Sequence, residues 1–320
     1  MPADTLFQYL KDIGDGQIAK ETPDCSVVPY AINSEKNRTT ITNLENTRLI
    51  STTDFFYPLI EDPYLQGRLA CCNVLSDIYA MGISRVDHML MVLGISLAMR
   101  EEHRQIVTRE MIRGFDDCAK EAGTQITGGQ SIMNPWPIIG GVANVMCQSN
   151  EYTKPNYGQP GDVLVLSKPL GTQPAVNLRQ KLTSKEGKEG FFKGKAIDEH
   201  EINDAYHMAI ESMGHLSRNT ARLMSKYKSR GATDVTGFGI LGHAQNLAAA
   251  QQQEVDLVLE ALPILNKMDL HIEGMHDFAV AKGYSAETSG GILCMLEKDK
   301  AADFMKESLN DYGQETWVVG

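Results

Sequence analysis

The stretch Leu49–Gly82, LISTTDFFYPLIEDPYLQGRLACCNVLSDIYAMG, decides the fold that we expect for this chain. Its first five residues are mostly apolar or β-branched, which predicts a short buried strand that delivers Asp54 at its end. Pro58 and Pro63 predict a loop, because proline is excluded from helix interiors. From residue 66 to residue 81 apolar side chains recur at helical spacing, so a buried helix follows the loop.

Two polar residues of this predicted helix, Asn73 and Asp77, lie four positions apart and therefore share one face. Burying an amide and a carboxylate without partners is unfavourable, and a metal ion, alone or bound to phosphate, would compensate. Spacing alone also allows a purely structural interpretation, in which both residues form a solvated stripe and Asp54 is a turn residue or a helix cap. A metal site and a solvated face both remain open at this point.

Further acidic residues precede other predicted elements. Asp24 comes before a β-branched run, and Asp234 comes before the tight turn that Gly237 and Gly239 predict. Carboxylates at separate strand and helix ends can hold Mg²⁺ around a triphosphate, because hard cations take oxygen ligands. Spacing alone also allows Asp234 to be a cap or turn residue. His243 follows a helix start, and a core histidine is favoured there over a substrate contact.

A glycine pair lies in the string TGGQS, which comprises Thr127, Gly128, Gly129, Gln130 and Ser131. We predict that it forms a turn after a strand, in which backbone N–H groups can approach a phosphate. The string is not a Walker A motif. A plain turn therefore remains the alternative interpretation.

The composition is that of an ordinary globular protein. The chain has 320 residues, of which 42% are hydrophobic, and this length suits one large or two medium domains. Its net charge of −11 argues against a general nucleic-acid binder, which needs a basic surface. No apolar run approaches the roughly 18 residues that span a membrane. The start MPADTLFQYL predicts an amphipathic helix rather than a signal peptide.

The six cysteines are scattered and form no CxxC pair, which favours reduced thiols and an intracellular protein. Cys25 is the candidate for a reactive thiol. A small buried hydrophobic side chain is the favoured interpretation of that residue.

A domain boundary is predicted at residues 152–162, which carry two prolines and two glycines. The N-terminal domain then comprises residues 1–155, and the C-terminal domain comprises residues 160–320.

Helical spacing predicts one helix over residues 102–122, with Ile106 among its inward-facing residues, and a single helical pattern over residues 202–227. Residues 255–259 predict a strand, and residues 262–270 predict a short helix.

Several separate strings, in the right order, resemble the selenophosphate synthetases, and most closely the eukaryotic members. They are STTDFFYPLIEDP, GRLACCNVLSDIYAMG, TGGQS, TDVTGFGILGHAQNLA and ETSGG. The family belongs to the superfamily of aminoimidazole-ribonucleotide synthetase, thiamine-monophosphate kinase and a hydrogenase-maturation protein. The resemblance implies an α+β fold of two domains with mixed sheets backed by helices, in which the N-terminal domain binds ATP and metal and forms a dimer.

The resemblance also implies a reaction, in which ATP, water and selenide yield selenophosphate, AMP and phosphate in the cytoplasm. It implies Mg²⁺ as cofactor, with K⁺ as a further candidate, and a homodimer that binds neither nucleic acid nor membrane. The metal-binding positions that it implies are Asp24, Asp54, Asn73, Asp77 and Asp234. The nucleotide-binding positions that it implies are Thr53, Asp54, Asp77, Thr127, Gly128, Gly129, Gln130 and Ser131.

The sequence departs from the family pattern at both ends. Family members carry a glycine-rich loop with a cysteine or selenocysteine and a nearby lysine upstream of the first helix, and Lys11 and Lys20 stand in no such context. We therefore expect a chain that is truncated at both ends relative to the family, with its catalytic nucleophile unknown, and that is inactive alone if the loop is essential. Two alternatives are a catalytically silent ATP-binding dimer subunit and another ATP-dependent enzyme of the superfamily; the string TTDFFYPLIEDP argues against the latter.

Overall fold

The computed structural model describes residues 25–29, 46–193, 198–265, 268 and 279–320. The predicted N-terminal helix, Asp24 and four of the nine residues of the predicted helix at 262–270 lie outside these residues. The described part of the chain forms two β-sheets with helices packed against them.

The first sheet has five strands in the order β1-β2-β5-β3-β4. Only β3 and β4 run parallel to each other within it, so the sheet is mixed. The predicted strand that carries Asp54 is present, but it extends two residues beyond the aspartate. The strand bounds are β1 Ser26–Pro29, β2 Thr47–Phe56, β3 His88–Ser96, β4 Ile126–Asn134 and β5 Ile138–Gln148.

Two helices, α1 (Pro63–Ala80) and α2 (Glu101–Glu121), belong to the same half of the chain. The prediction that Pro63 lies in a loop was wrong. Proline lacks the N–H that a first helical position would leave unpaired, so Pro63 begins α1. Asp62 caps the helix, because its Oδ1 accepts a hydrogen bond from Leu65 N at 2.9 Å.

Helix α1 is buried on nearly all sides, which is typical of a helix in the centre of a protein. It crosses α2 at two glycines. A Cβ atom on Gly67 would lie 1.9 Å from Met111 O, and one on Gly114 would lie 1.8 Å from Tyr64 O. The two backbones therefore approach each other more closely than any side chain allows.

Helix α2 confirms the predicted element but not every inward residue. Met111 and Phe115 are buried, whereas Ile106 is 60% exposed. The reason is that Val107, and not Ile106, faces the core at the N-terminal end of α2.

The second sheet has four strands in the order β7-β8-β6-β9, and its described pairs are all antiparallel. The strand bounds are β6 Asp162–Leu166, β7 Gly231–Asp234, β8 Ile292–Glu297 and β9 Trp317–Val318. The helices are α3 Thr172–Thr183, α4 Glu199–Gly214, α5 Arg218–Tyr227, α6 Gly239–Ala249 and α7 Lys298–Tyr312. A π-helical turn spans Gly187–Phe191 and a 3₁₀ turn spans Val280–Lys282.

Two predictions for this half of the chain were wrong. The helical pattern at 202–227 forms two helices, because His215 adopts an extended conformation and the carbonyl of Gly214 binds side chains of α1 instead of continuing a helix. Residues 255–259 form no strand. The neighbouring Glu260 and Ala261 both donate to the one carbonyl of Val319, so no ladder of alternating bonds develops.

Side chains of both halves meet along α1. Arg68 Nε donates to Gly214 O at 3.1 Å, and Arg218 Nε donates to Ser84 O at 2.9 Å. One apolar core contains residues of both sheets, including Ile50 of β2 and Ile292 of β8. The two sheets are therefore joined by shared packing around α1.

We predict that Gly114→Ala lowers the free energy of unfolding by about 3 kcal/mol, because its methyl group would overlap Tyr64 O. Helix propensity alone would change stability in the opposite direction by about 1 kcal/mol. Urea unfolding followed by circular dichroism measures the difference. Gly190→Ala is the matched control, since a Cβ there meets open space; equal stability of the two variants would contradict the close-packing argument.

Candidate functional site

The polar face of α1 lies where the two sheets meet. Asn73 and Ser76 are buried, and Asp77 is half-buried. Each of the three makes a side-chain hydrogen bond to a different element. Asn73 Oδ1 accepts from Ser289 N at 2.8 Å, Ser76 Oγ donates to Asp234 Oδ2, and Asp77 Oδ2 accepts from Thr52 Oγ1. The face is thus a junction rather than a solvated stripe.

Strand β2 brings Asp54 to this junction. Asp54 lies two residues after Thr52, on the same side of the strand. Burial, together with the neighbouring carboxylate of Asp234, raises the pKa of Asp54 to about 7. Two carboxyl groups from different sheets therefore lie close enough to repel each other.

Strand β7 ends at the second of these carboxylates. Asp234 is almost completely buried, and its hydrogen bond from Ser76 ties the second sheet to α1. His243 of α6 lies close to it, and burial lowers the pKa of this imidazole although Asp234 opposes the shift. His243 Nε2 accepts from Thr236 N at 3.0 Å, which marks a neutral ring that holds the turn after Asp234. The prediction of a core histidine is confirmed.

The string TGGQS lies elsewhere and does not form the predicted turn. It is part of β4, an edge strand that pairs with β3 and is exposed along most of its length. The second glycine of the string, Gly129, is required by the close approach of β3, because a Cβ there would lie 1.9 Å from Met91 O. Its φ of +147° also favours glycine.

One row of paired residues across the first sheet nevertheless connects TGGQS with Asp54. Asp54 pairs with Gly141, Gly141 pairs with Met91, and Met91 pairs with Gly129. Three strand spacings of about 4.8 Å place the Asp54 and Gly129 backbones about 14 Å apart. The structure therefore does not bring the two predicted groups of residues into contact within one chain.

The oxygen atoms at the junction fit a hard divalent cation. Carboxylates of Asp54, Asp77 and Asp234 come from β2, α1 and β7, and Mg²⁺ prefers such ligands. No group of three histidine, cysteine or acidic side chains within the described ranges is already gathered closely enough to hold an ion. Repulsion between the carboxylates of Asp54 and Asp234 contributes to the raised pKa of Asp54, and a bound cation would relieve it.

Sequence reasoning missed a second set of polar residues behind the junction. Lys168, Glu287 and Ser289 are each almost completely buried, and they lie in the strings KPLGT and ETSGG. Burial raises the pKa of Glu287 to about 7, although its carboxylate accepts bonds from Gly171 N at 2.7 Å and Thr172 N at 2.8 Å. The available signal was a charged residue two positions after an apolar strand in KPLGT and another three positions before a glycine pair in ETSGG.

The cysteines behave as predicted. All six are buried, including Cys25. Helices that are both long and apolar enough to cross a membrane are absent from the part of the chain that the structure describes.

Comparison with known proteins identifies the fold. Residues 24–145 match the AIR synthase related protein, N-terminal domain, and residues 159–320 match the AIR synthase related protein, C-terminal domain. A structure of AaThiL complexed with AMPPCP and TMP is similar with a TM-score of 0.68 and 14% identity, over 99% of this chain and 89% of that one. Thiamine-monophosphate kinase from Stenotrophomonas maltophilia K279a gives 0.65 and 18%, over 86% and 82%. The molecule thus has the two-domain AIR synthase related fold.

Similar sequences define the family more closely. Selenide, water dikinase from Dictyostelium discoideum is 43% identical over 323 residues, which cover 100% of this chain and 83% of that protein. Selenide, water dikinase 2 from Homo sapiens is 51% identical over 276 residues, which cover 85% of this chain and 61% of that protein. The chain belongs to the selenide, water dikinase family. It spans about three fifths of the length of the human and mouse relatives.

We predict that Asp54→Asn makes the ligand-free chain more stable at pH 8 than the wild type. The folded-state pKa of about 7 lies above the value of about 3.9 for an unfolded aspartate, so the carboxyl favours folding below about pH 4 and loses that contribution as the pH rises through 7. Allowing for partial exposure, we expect a gain of about 2 kcal/mol at pH 8.

Urea unfolding at pH 4.5 and pH 8 measures this effect. Asp256→Asn is the control, because Asp256 is exposed and lies outside the junction. The same stability difference at both pH values would contradict the electrostatic account.

Proposed function

We propose that this chain catalyses ATP-dependent synthesis of selenophosphate from selenide, with AMP and phosphate as the other products. One observation carries the proposal: a chain of this family places carboxylates of Asp54, Asp77 and Asp234 around one buried helix face, each on a different element. Such a group is suited to a metal–triphosphate complex. The catalytic nucleophile remains unassigned.

The proposed metal site consists of Asp54, Asp77 and Asp234, with Asn73 in support and Asp24 as a further ligand from outside the described residues. Mg²⁺, when bound, supplies positive charge that stabilises a phosphoryl group during transfer. K⁺ is a further candidate cation of the proposal. Asn73 Oδ1 has two lone pairs, and Ser289 N uses one of them.

The residues of the chain itself contribute position and electrostatics. The hydroxyls of Thr52 and Ser76 each donate a hydrogen bond to a carboxylate, which orients Asp77 and Asp234. Because these donors lie on β2 and α1, the acids are held by rigid elements rather than by loops. Selenide then attacks the γ-phosphate of ATP, and hydrolysis of the remaining diphosphate bond gives AMP and phosphate.

The proposed nucleotide contacts include Thr53 and the residues of TGGQS. The outer edge of β4 has no strand partner among the described residues, so its backbone N–H groups are available to phosphate oxygens. Thr53 is exposed beside Asp54. One nucleotide can touch both regions only if it lies along the sheet, because about 14 Å separates Asp54 from Gly129.

A homodimer that forms through the first domain is part of the proposal. Ile132, Met133 and Trp136, on β4 and directly after it, are all more than half exposed. Exposed apolar side chains next to an unpaired strand edge are typical of an interface. We place the protein in the cytoplasm, because scattered cysteines without a CxxC pair are typical of proteins in a reducing compartment.

We predict that Asp54→Ala weakens Mg²⁺-dependent binding of a β,γ-methylene ATP analogue about 100-fold, because it removes one charged ligand from the metal site. Isothermal titration with and without EDTA measures it, with Asp256→Ala as control. Unchanged affinity of the Asp54 variant would refute the proposed metal site.

Phosphorus NMR of the wild type with ATP, Mg²⁺ and anaerobic selenide tests the reaction. Formation of selenophosphate and AMP supports it, and release of AMP without selenophosphate supports another ATP-dependent reaction.

We also predict that Met133→Asp converts the dimer to a monomer, because an unpaired carboxylate would be buried at the interface. Sedimentation velocity measures the state. Ile106→Asp is the matched control, since Ile106 is equally exposed but lies on α2, away from the strand edge. A wild type that sediments as a monomer, or a dimer that survives Met133→Asp, would refute this interface.

A further inference from the structure

The ammonium group of Lys168 is buried between the two halves of the molecule. Lys168 follows β6 and is 3% exposed. Its Nζ donates to His215 O at 2.8 Å, to Ser289 O at 2.8 Å and to Ser289 Oγ at 3.4 Å. No carboxylate oxygen of the described residues lies within 4 Å of it. Its hydrogen-bond acceptors are neutral, and burial lowers the pKa of Lys168 to about 8, although the charge of Asp234 opposes this shift.

These contacts use all three hydrogens of the ammonium group. Lys168 also lines a cavity of about 720 Å³, together with His215 and Gln314. A lysine that binds a ligand in such a cavity needs a free donor, and Lys168 has none. Its role therefore lies within the protein.

One of its acceptors, Ser289, has an uncommon backbone conformation. Its φ is +45°, a left-handed backbone angle that residues other than glycine rarely adopt. Lys168 holds the carbonyl of Ser289, while the N–H of Ser289 donates to Asn73 Oδ1 at 2.8 Å. A chain of hydrogen bonds thus leads from Lys168 through Ser289 to the polar face of α1.

The rest of the loop at residues 287–291 is held at both ends. Glu287 binds the N-terminus of α3 through Gly171 N and Thr172 N. Gly291 O accepts from Val235 N at 2.8 Å, directly after Asp234. In the middle of the loop, Thr288 is held by Thr172 and Gln173. Ser289 is held by Lys168 and Asn73.

We propose that Lys168 is a positioning residue for the metal and nucleotide site. It holds Ser289 in the conformation that binds Asn73, and this fixes the polar face of α1 against Asp234. The effect on nucleotide binding rests on the proposed function, whereas the hydrogen-bond chain rests on geometry alone.

The first test measures amide hydrogen exchange at Ser289 in the ligand-free chain. Lys168→Met keeps the length of the side chain but removes all donors, and we expect exchange at Ser289 to rise at least about tenfold. Lys226→Met is the matched control, because Lys226 forms a surface ion pair with Glu307. Lys168→Gln, which keeps an amide donor, replaces the methionine variant if the latter does not fold. Unchanged protection at Ser289 overturns the proposal.

The second test separates positioning from a general loss of stability. We expect Lys168→Met and Asn73→Ala each to weaken binding of Mg²⁺ with the β,γ-methylene ATP analogue about tenfold, and the double variant to bind no more weakly than either. Losses that multiply in the double variant overturn the proposal. A wild type that binds no nucleotide refutes the proposed function, and the exchange experiment then still decides the role of Lys168.

Discussion

The structure depends on the burial of α1, an 18-residue helix that both halves of the chain enclose. Apolar residues can be buried on any side of such a helix, but Asn73, Ser76 and Asp77 need partners. Those partners come from β2, from the end of β7 and from the loop before β8. The requirement to satisfy three polar groups on one helix therefore determines how the two sheets are placed.

The same requirement produces the electrostatics of the candidate site. A carboxylate tied to α1 from the second sheet stands beside Asp54 from the first, and the two repel each other. Packing alone would favour neutral groups at this place. The arrangement is consistent with a protein that accepts some instability in its ligand-free state and regains it when a cation binds.

Much of this architecture was predictable from local patterns. Strand β2 and helices α1 and α2 have an apolar β-branched run or clear helical periodicity, and the structure confirms them. The string TGGQS was misinterpreted, because an edge strand exposed on both faces has no alternation of apolar residues. The contact between Lys168 and Ser289 joins residues that are 121 positions apart, and no local pattern reveals such a pair. The resemblance to a family supplied the candidate ligands; spacing alone left them ambiguous.

The buried thiols have a practical consequence. Cys72 of α1 donates to Gly214 O at 3.2 Å, on the seam between the two halves of the chain. The hydrogen bond to Cys118 and burial both raise the pKa of Cys72, so the closed molecule protects this sulfur from alkylating reagents. The rate at which a thiol reagent labels Cys72 therefore reports how often the two halves of the chain separate spontaneously. This measurement needs no introduced probe.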